Sequence, residues 1–162
     1  AAAQPDALCL QELKLEDHNF PKAEIEAAGY QVAYSGQKTY NGVALLARQP
    51  IHDIVCGNPH FPDEQKRLIS GTVGDTRIVC AYMPNGQAVG SDKYDYKLRW
   101  LDALAVWLEE ELKRLLYQWM IRSKSVKTIL QAVGVCGVSG KNCGLMIAKL
   151  AETFRYKISG EY

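Results

Sequence analysis

A chain of 162 residues is long enough to bury one sizeable core. Its composition, 48% hydrophobic and 23% charged residues, is typical of a globular protein and argues against a disordered one. The formal net charge of +1 excludes a strongly basic or acidic protein, so binding to a polyanion would depend on a local basic patch. There is no apolar run of about 18 residues, so we expect no membrane span. Residues 1–5 lack the basic start of a signal peptide, so we do not expect them to be one.

The cysteine pattern bears on the cellular compartment. The number of cysteines is odd, no CxxC motif occurs, and the five lie mostly within apolar runs: Cys9, Cys56, Cys80, Cys136 and Cys143. This pattern favours buried thiols in a reducing compartment over a disulfide framework or a zinc site. We therefore expect a cytoplasmic protein.

The first part of the chain alternates strand-like and helical segments. Residues 7–11 are a short apolar run, which predicts a buried strand. Residues 21–28 predict a short helix that begins at a proline and stops at Gly29. Residues 31–34 alternate in polarity and residues 42–47 are uniformly apolar, so we predict two further strands, the second covered on both faces.

A hairpin and a long helix follow. Residues 68–73 and 77–82 are strand-like runs separated by a turn that contains glycine, and residues 83–86 give a second strong turn signal. From Asp95 onwards, leucines recur at spacings of three and four, which predicts an amphipathic helix. Strands mixed with helices imply an α/β or α+β architecture.

The composition changes near residue 117. Residues 118–162 contain two acidic residues against seven lysines or arginines, whereas the preceding residues are balanced. We therefore predict a domain over residues 1–117 and an unassigned basic tail over residues 118–162.

A carboxylate follows the first predicted strand. Glu12 lies at the C-terminal end of the apolar run, a position that suits a ligand site on an α/β sheet. The alternative is a strand end that simply reaches the surface, and this stretch taken alone favours that alternative. Lys14 lies on the same side of an extended chain, where it can pair with Glu12 and keep it ionised.

The turn after the last predicted strand presents two uncharged polar groups. Tyr82 ends the strand, Pro84 fixes the turn and Asn85 closes it. A phenol and a carboxamide held in this way can donate hydrogen bonds to a phosphate without adding charge. A plain turn with a packed tyrosine is the alternative.

Basic and aromatic residues are interleaved in three stretches that adjoin predicted elements, residues 36–42, 64–69 and 92–100. Lysine and arginine neutralise phosphates, and aromatic faces stack or wedge against bases. Each stretch alone is also compatible with an ordinary solvated surface.

Five stretches together carry a family resemblance, and in sequence order they read PDALCLQELKLED, GYQVAYSGQKTYNGVALLAR, EQKRLI, RIVCAYMPNG and KYDYKLRWLDAL. Their order and spacing resemble the exodeoxyribonuclease III family of apurinic/apyrimidinic endonucleases, within the endonuclease/exonuclease/phosphatase superfamily. The resemblance covers residues 4–114. It implies part of a two-sheet β-sandwich flanked by helices, an incomplete copy of that fold.

The resemblance also implies an activity and a set of site residues. The expected function is a DNA repair phosphodiesterase that uses Mg²⁺, with Mn²⁺ as the alternative ion, and cleaves double-stranded DNA at abasic sites and 3′ ends. By this resemblance Glu12 is a metal ligand and Lys14 supports the metal-site carboxylates, while Tyr82 and Asn85 lie against the scissile phosphate. The implied DNA contacts are Lys38, Tyr40, Asn41, Arg67, Lys97 and Arg99.

The sequence also departs from the family. The family's initial strand with its metal-site Asn, its GDxN motif and its terminal SDH motif do not occur here, since Gly74-Asp75 is followed by Thr-Arg and Ser91-Asp92 by Lys. The GDxN and SDH motifs provide the groups that activate water. We therefore expect this polypeptide alone to be weakly active or inactive, and residues beyond 114 do not resemble the family, as in a fragment joined to unrelated or frame-shifted sequence.

Two other functions remain open. One is a non-catalytic DNA-binding remnant that keeps the basic loops. The other is a P-loop nucleotide-binding fusion through residues 134–142, where Gly140-Lys141 is present but Val135 and Asn142 replace the first Gly and the Ser or Thr of the motif.

Overall fold

The computed structural model describes residues 4–122 and 133–136. The chain divides into two compact units, Ala1–Met83 with Ser125–Gly137, and Pro84–Lys124 with Val138–Tyr162. Within the described residues the strands and helices, in chain order, are β1 (Ala7–Gln11), α1 (Lys22–Ala27), β2 (Gln31–Ser35), β3 (Val43–Ala47), β4 (Ile51–Cys56), β5 (Leu68–Val73), β6 (Thr76–Ala81), α2 (Asp92–Arg122) and β7 (Val133–Cys136), with a single 3-10 turn at Asp17–Asn19.

The strands of the first unit form two sheets. One has the order β1-β3-β2 with both pairs antiparallel, and the other has the order β4-β5-β6-β7. In the second sheet the pairs β4–β5 and β5–β6 are antiparallel, whereas β7 lies parallel to β6. Mixed strands and helices in this arrangement confirm the predicted α+β fold and its two-sheet sandwich.

The middle strand of the first sheet, β3, explains where the core lies. All five of its residues are buried, as their uniformly apolar character predicts. Val43 and Leu45 face the second sheet and pack in one cluster with Ile69 and Cys80. Ala44 and Leu46 point to the opposite face, in the cluster that contains Phe20. Alternation along one strand therefore builds two apolar layers, one between the sheets and one under α1 and its neighbouring loop.

A strand that the sequence did not reveal is β4. Its exposed His52, Asp53 and Ile54 break the apolar alternation, and the pairing with β5 shifts register between His52 and Val55. Asp53 lies in the left-handed region with φ of 49°, as expected within a bulge. The buried side chain of Arg77 donates from Nη1 to the carbonyl of Asp53 at 2.5 Å and stabilises the bulge.

The second unit contains α2. It begins at Asp92, slightly earlier than predicted, and runs to Arg122, so residue 117 lies inside a helix. The boundary at residue 117 thus stays a prediction. Among residues 92–115 of α2, whose burial is described, Trp100, Leu104, Trp107 and Leu108 are buried, whereas Leu98 is exposed.

Several local expectations have a clear outcome. Gly29 has φ of 87° and follows Ala28, the C-cap residue of α1, as a helix-ending glycine requires. Of the cysteines described, Cys80 is buried as expected, but Cys56 is exposed because it lies on the irregular strand β4.

Among residues 4–122 and 133–136, no helix combines the length and apolar character needed to cross a membrane.

Candidate functional site

The ends of β1 and β6 lie together. Gln11 donates from Nε2 to the carbonyl of Ala81 at 3.2 Å, and the thiol of Cys80 donates to the carbonyl of Leu10 at 3.4 Å. These two hydrogen bonds connect the sheets at the point where both strands finish. The next residue on each strand, Glu12 and Tyr82, is therefore brought to the same place.

At this strand end, the Glu12 carboxylate contacts two side chains, one through each oxygen. The Tyr82 hydroxyl donates to Oε1 of Glu12 in a short hydrogen bond, and Lys14 Nζ lies 3.1 Å from Oε2. The Tyr82 hydrogen bond, followed by Lys14, lowers the pKa of Glu12 below its ordinary value. The same hydrogen bond, with burial, raises the pKa of Tyr82, while Arg67 opposes the rise. At neutral pH the site is therefore a carboxylate facing a phenol that keeps its proton.

The chain carrying Glu12 has an unusual backbone. Glu12 and Lys14 both lie in the left-handed region, with φ of 56° and 57°, and so does Asn41, with φ of 57°. Such conformations cost about 1–3 kcal/mol each in non-glycine residues and accumulate at functional sites. They are held by two backbone hydrogen bonds, from Leu13 N to Gly42 O at 3.3 Å and from Lys14 N to Asn41 O at 3.1 Å.

Arg67 covers the other side of Tyr82. Its guanidinium carbon lies 5.0 Å from the centre of the Tyr82 ring, within the range of a cation–π contact. The backbone N–H of Tyr82 donates to the carbonyl of Arg67 at 2.7 Å. The structure thus brings together four residues that the sequence singled out: Glu12, Lys14, Arg67 and Tyr82.

The loop before β3 lies next to this group and divides into exposed and buried parts. Lys38 and Tyr40 are on the surface, Tyr40 with 70% of its area exposed. Asn41, which was expected to contact DNA, is only 7% exposed. Its amide donates to Gln37 Oε1 at 3.0 Å and Gln65 Oε1 at 3.4 Å, so it organises the loop from within.

The remaining predicted residues belong to the second unit. Asn85 is exposed, and its side-chain oxygen accepts a hydrogen bond from the backbone N–H of Gln87 at 3.0 Å, which closes the predicted turn. Lys97 packs close to the turn, since its Cδ lies only 3.0 Å from the position that a Cβ on Gly86 would occupy. Arg99 is exposed on α2. The three histidines, His18, His52 and His60, are also exposed.

Two glutamines of this region were not predicted. Gln37 Oε1 accepts from Asn41 and from the backbone N–H of Lys66 at 3.0 Å, and Gln65 Oε1 accepts from Arg67. Both glutamines lie within the basic stretches 36–42 and 64–69 that drew attention for their cations. Each glutamine directly precedes a lysine, and an uncharged polar residue next to a cation was the available signal for a residue that orients its neighbours.

The donor set limits what metal the described residues hold by themselves. In residues 4–122 and 133–136, no three His, Cys, Asp or Glu side chains are grouped so as to bind a metal ion. Glu12 contributes one carboxylate, with both oxygens already engaged. Mg²⁺ is often held by one or two carboxylates together with substrate phosphates and water, so Glu12 fits one ligand of such a site. It does not fit a complete protein cage.

Sequence comparison identifies the family to which this fold belongs. The profile of the endonuclease/exonuclease/phosphatase family matches residues 1–121. The chain therefore belongs to this family.

Curated relatives narrow the resemblance. Exodeoxyribonuclease III of Haemophilus influenzae is 36% identical over 114 residues, which are 67% of this chain and 43% of that protein. The DNA-(apurinic or apyrimidinic site) endonuclease of Dictyostelium discoideum is 30% identical over 98 residues, which are 59% of this chain and 27% of that protein. The chain thus spans less than half the length of these relatives.

Solved structures agree. A 3′ phosphatase from Neisseria, NExo, solved bound to product DNA hairpin, is 43% identical with a TM-score of 0.67, covering 68% of this chain and 43% of that one. An AP endonuclease from Archaeoglobus fulgidus is 38% identical with a TM-score of 0.63, covering 65% of this chain and 41% of that one. The similarity therefore extends to the three-dimensional arrangement of the matched segment.

Proposed function

We propose that the chain carries the phosphate-binding portion of a DNA repair phosphodiesterase of the exodeoxyribonuclease III type, which acts on abasic sites and 3′ ends of duplex DNA. The observation that supports this most is the contact between Glu12 and Tyr82, with Arg67 over the ring. It joins three separate sequence motifs at one strand end. The relatives named above, which are nucleases and a phosphatase by name, favour the same substrate class.

The chemistry follows from the side chains. Cleavage of a phosphodiester requires that negative charge on the phosphate be stabilised and that the phosphate be held for in-line attack. Arg67 supplies a fixed positive charge. The Tyr82 hydroxyl, which donates to Glu12 in this structure, would turn its single proton to the phosphate when it acts as an uncharged donor there. When bound, Mg²⁺ or Mn²⁺ would supply additional positive charge at the phosphate, and Glu12 would hold it. Lys14 keeps Glu12 ionised and ready for that role.

The proposal assigns roles to the outer residues as well. Exposed Lys38 and Tyr40 suit contacts with a DNA backbone and a base face. In the second unit, Asn85 is proposed to contact the phosphate, and Lys97 and Arg99 the DNA backbone. Asn41 is given no direct contact, because its amide is buried and bonded to Gln37 and Gln65.

The activity of this polypeptide alone is a separate matter. The sequence contains no GDxN or SDH motif, and within the described residues Glu12 has no neighbouring acidic cluster. We therefore propose that the chain binds duplex DNA but cleaves it weakly or not at all. The non-catalytic DNA-binding hypothesis thus describes the isolated polypeptide. The P-loop hypothesis concerns residues 134–142, of which only 134–136 are described, as part of β7.

A metal-dependent binding experiment tests this proposal. The affinity for a fluorescent duplex with an abasic-site analogue is measured by anisotropy in EDTA and in Mg²⁺, for the wild type and for Glu12→Gln. In EDTA we expect Glu12→Gln to bind more tightly, because it removes a negative charge beside the phosphate. In Mg²⁺ that advantage should disappear, because the variant lacks a carboxylate for the ion.

The matched control is Glu24→Gln, an exposed carboxylate on α1. It should change binding equally with and without Mg²⁺, since it alters net charge alone. An advantage of Glu12→Gln that is the same in EDTA and Mg²⁺, as in the control, would contradict the metal role. Failure of the wild type to bind the duplex in either buffer would contradict the DNA role.

A further inference from the structure

One carboxamide oxygen near the site faces three N–H groups. Gln65 Oε1 accepts from Arg67 Nε at 3.0 Å and from Arg67 Nη2 at 2.8 Å. It also faces Asn41 Nδ2 at 3.4 Å. All three are donors, so the oxygen of the Gln65 amide, and not its nitrogen, must point toward them. The orientation of this side chain is therefore fixed by its partners.

The backbone of Gln65 is held too. Its N–H donates to the Asp63 carboxylate at 3.1 Å, which closes a short turn before β5. The next residue, Lys66, donates its backbone N–H to Gln37 Oε1 and accepts from Gly42 N through its carbonyl at 2.9 Å. Gln65 thus stands on a segment that is fixed to the loop before β3.

The contacts of Gln65 complete a closed circuit around the site. From Gln65, hydrogen bonds lead through Arg67 to the backbone of Tyr82, and Arg67 also makes a cation–π contact with the Tyr82 ring. The Tyr82 hydroxyl then donates to Glu12. Glu12 pairs with Lys14, whose backbone N–H returns to Asn41, the third partner of Gln65. The members of the circuit are Gln65, Arg67, Tyr82, Glu12, Lys14 and Asn41. Each group is therefore restrained from two sides.

The neutrality of Gln65 matters for Arg67. A guanidinium has five N–H donors in a fixed fork, and Gln65 orients it through Nε and Nη2. Nη1 makes one long contact, with the Tyr82 carbonyl at 3.5 Å. Among the residues that the structure describes, no carboxylate forms an ion pair with this guanidinium. A neutral acceptor thus orients Arg67 and leaves its full positive charge for another anion.

We infer that Gln65 is a positioning residue that aims the fully charged guanidinium of Arg67 at a DNA phosphate beside Tyr82. The identity of the anion rests on the proposed function, whereas the orientation of Arg67 by Gln65 does not. Two substitutions separate the parts of the claim. Gln65→Leu removes the hydrogen-bond acceptor. Gln65→Glu keeps an acceptor, but its carboxylate pairs with the Arg67 guanidinium and cancels its positive charge.

The first readout is the Arg67 side chain itself. In a proton–nitrogen correlation spectrum, the Arg67 Nε–H signal is assigned by its loss in Arg67→Lys, and its exchange with water is measured. We expect slow exchange in the wild type and in Gln65→Glu, and fast exchange in Gln65→Leu. Exposed Arg99 is the internal reference and should be unaffected. Far-UV circular dichroism establishes that all variants are folded.

The second readout is binding to a fluorescent abasic-analogue duplex as salt is varied. One phosphate contact contributes about 0.9 to the slope of log K against log salt concentration. Both Gln65 variants should lose about that much slope, Gln65→Leu because Arg67 is no longer aimed and Gln65→Glu because its charge is cancelled. Gln31→Leu, the same change at an exposed glutamine of β2, should keep the wild-type slope.

The outcomes are distinct. Slow Arg67 exchange in Gln65→Leu would overturn the positioning role, whatever the DNA result. If Gln65 had only a structural role, the Gln65→Glu variant would bind DNA like the wild type. That result would overturn the claim that a neutral residue is needed beside Arg67. Absence of duplex binding by the wild type would contradict the proposed function, while the exchange measurement would still decide whether Gln65 orients Arg67.

Discussion

The close approach of two backbone segments at Gly42 makes a quantitative prediction. Gly42 has φ of 86°, and a Cβ added there would stand 2.9 Å from Leu13 Cβ and 3.3 Å from Leu13 Cγ. A left-handed conformation costs a non-glycine residue about 1–2 kcal/mol. Forcing a methyl group against a packed side chain costs about 1–3 kcal/mol. We therefore expect Gly42→Ala to lower the free energy of unfolding by about 2–5 kcal/mol.

Gly29→Ala is a matched control. Gly29 has nearly the same φ, 87°, but no heavy atom lies within 4 Å of the position of an added Cβ. This substitution should cost only the conformational part, about 1–2 kcal/mol. The effect of alanine on the unfolded chain is similar in both variants and largely cancels in their difference. The difference between the variants thus measures the contact with Leu13.

Urea denaturation followed by far-UV circular dichroism provides the two free energies. Because Leu13 lies between Glu12 and Lys14, Gly42→Ala should also weaken binding to duplex DNA under conditions where the variant is folded. If Gly42→Ala is no less stable than Gly29→Ala, then the close packing of Leu13 on Gly42 does not support the site in the way described.

Three further substitutions test individual parts of the structure. Tyr82→Phe removes the main cause of the low pKa of Glu12, so a carbon-13 NMR titration should show that pKa rising; an unchanged pKa would disprove the hydrogen bond. In the wild type, the lowered pKa of Glu12 stabilises the folded state at pH values above the ordinary pKa of a glutamate, and this stabilisation is lost as pH falls through the folded-state pKa. In Tyr82→Phe, the free energy of unfolding should therefore depend less on pH in the acid range. Arg77→Leu leaves the buried Ser70 hydroxyl without its 2.9 Å donor and should cost about 1–3 kcal/mol in urea denaturation; unchanged stability would contradict a stabilising role for that hydrogen bond. Leu45→Ala leaves a cavity at a fully buried position between the sheets and should cost about 2–5 kcal/mol by the same assay. A loss no larger than that caused by the same substitution at an exposed leucine would refute the assigned core.

The sequence predicted the strands with uniform or alternating apolar character. Leu68–Val73 has the predicted bounds, and β3 is covered on both faces as expected. β4 was missed because Ile51–Cys56 carries a bulge and exposed polar residues, which destroy the period of two on which the prediction depends. Bulges are set by tertiary contacts, here with Arg77, and have no local signature.

The helix α2 was predicted from its leucines, but its buried side is centred elsewhere. Trp100 and Trp107, a helical distance of seven residues apart, are buried with Leu104 and Leu108. Leu98 is 40% exposed, although it begins the leucine pattern. Leucine spacing therefore located the helix correctly, whereas the two tryptophans mark its buried face.

The site was predictable to the extent that it consists of charged and aromatic residues in motifs. Glu12, Lys14, Arg67 and Tyr82 were singled out from the sequence, and the structure brings them together. Their individual chemical roles stay predictions. Gln65 could not be found in the same way, because a glutamine gains its function from the donors that surround it, here Arg67 two residues later and Asn41 in the loop before β3.

The most direct test of the account is the salt dependence of duplex binding in Arg67→Gln. For an abasic-analogue duplex, the slope of log K against log salt concentration should fall by about 0.9 relative to the wild type, as one phosphate contact is lost. Arg48→Gln, at an exposed arginine, should leave the slope unchanged. An equal slope in wild type and Arg67→Gln, or no salt-sensitive binding by the wild type, would contradict a phosphate-binding site at Glu12, Tyr82 and Arg67.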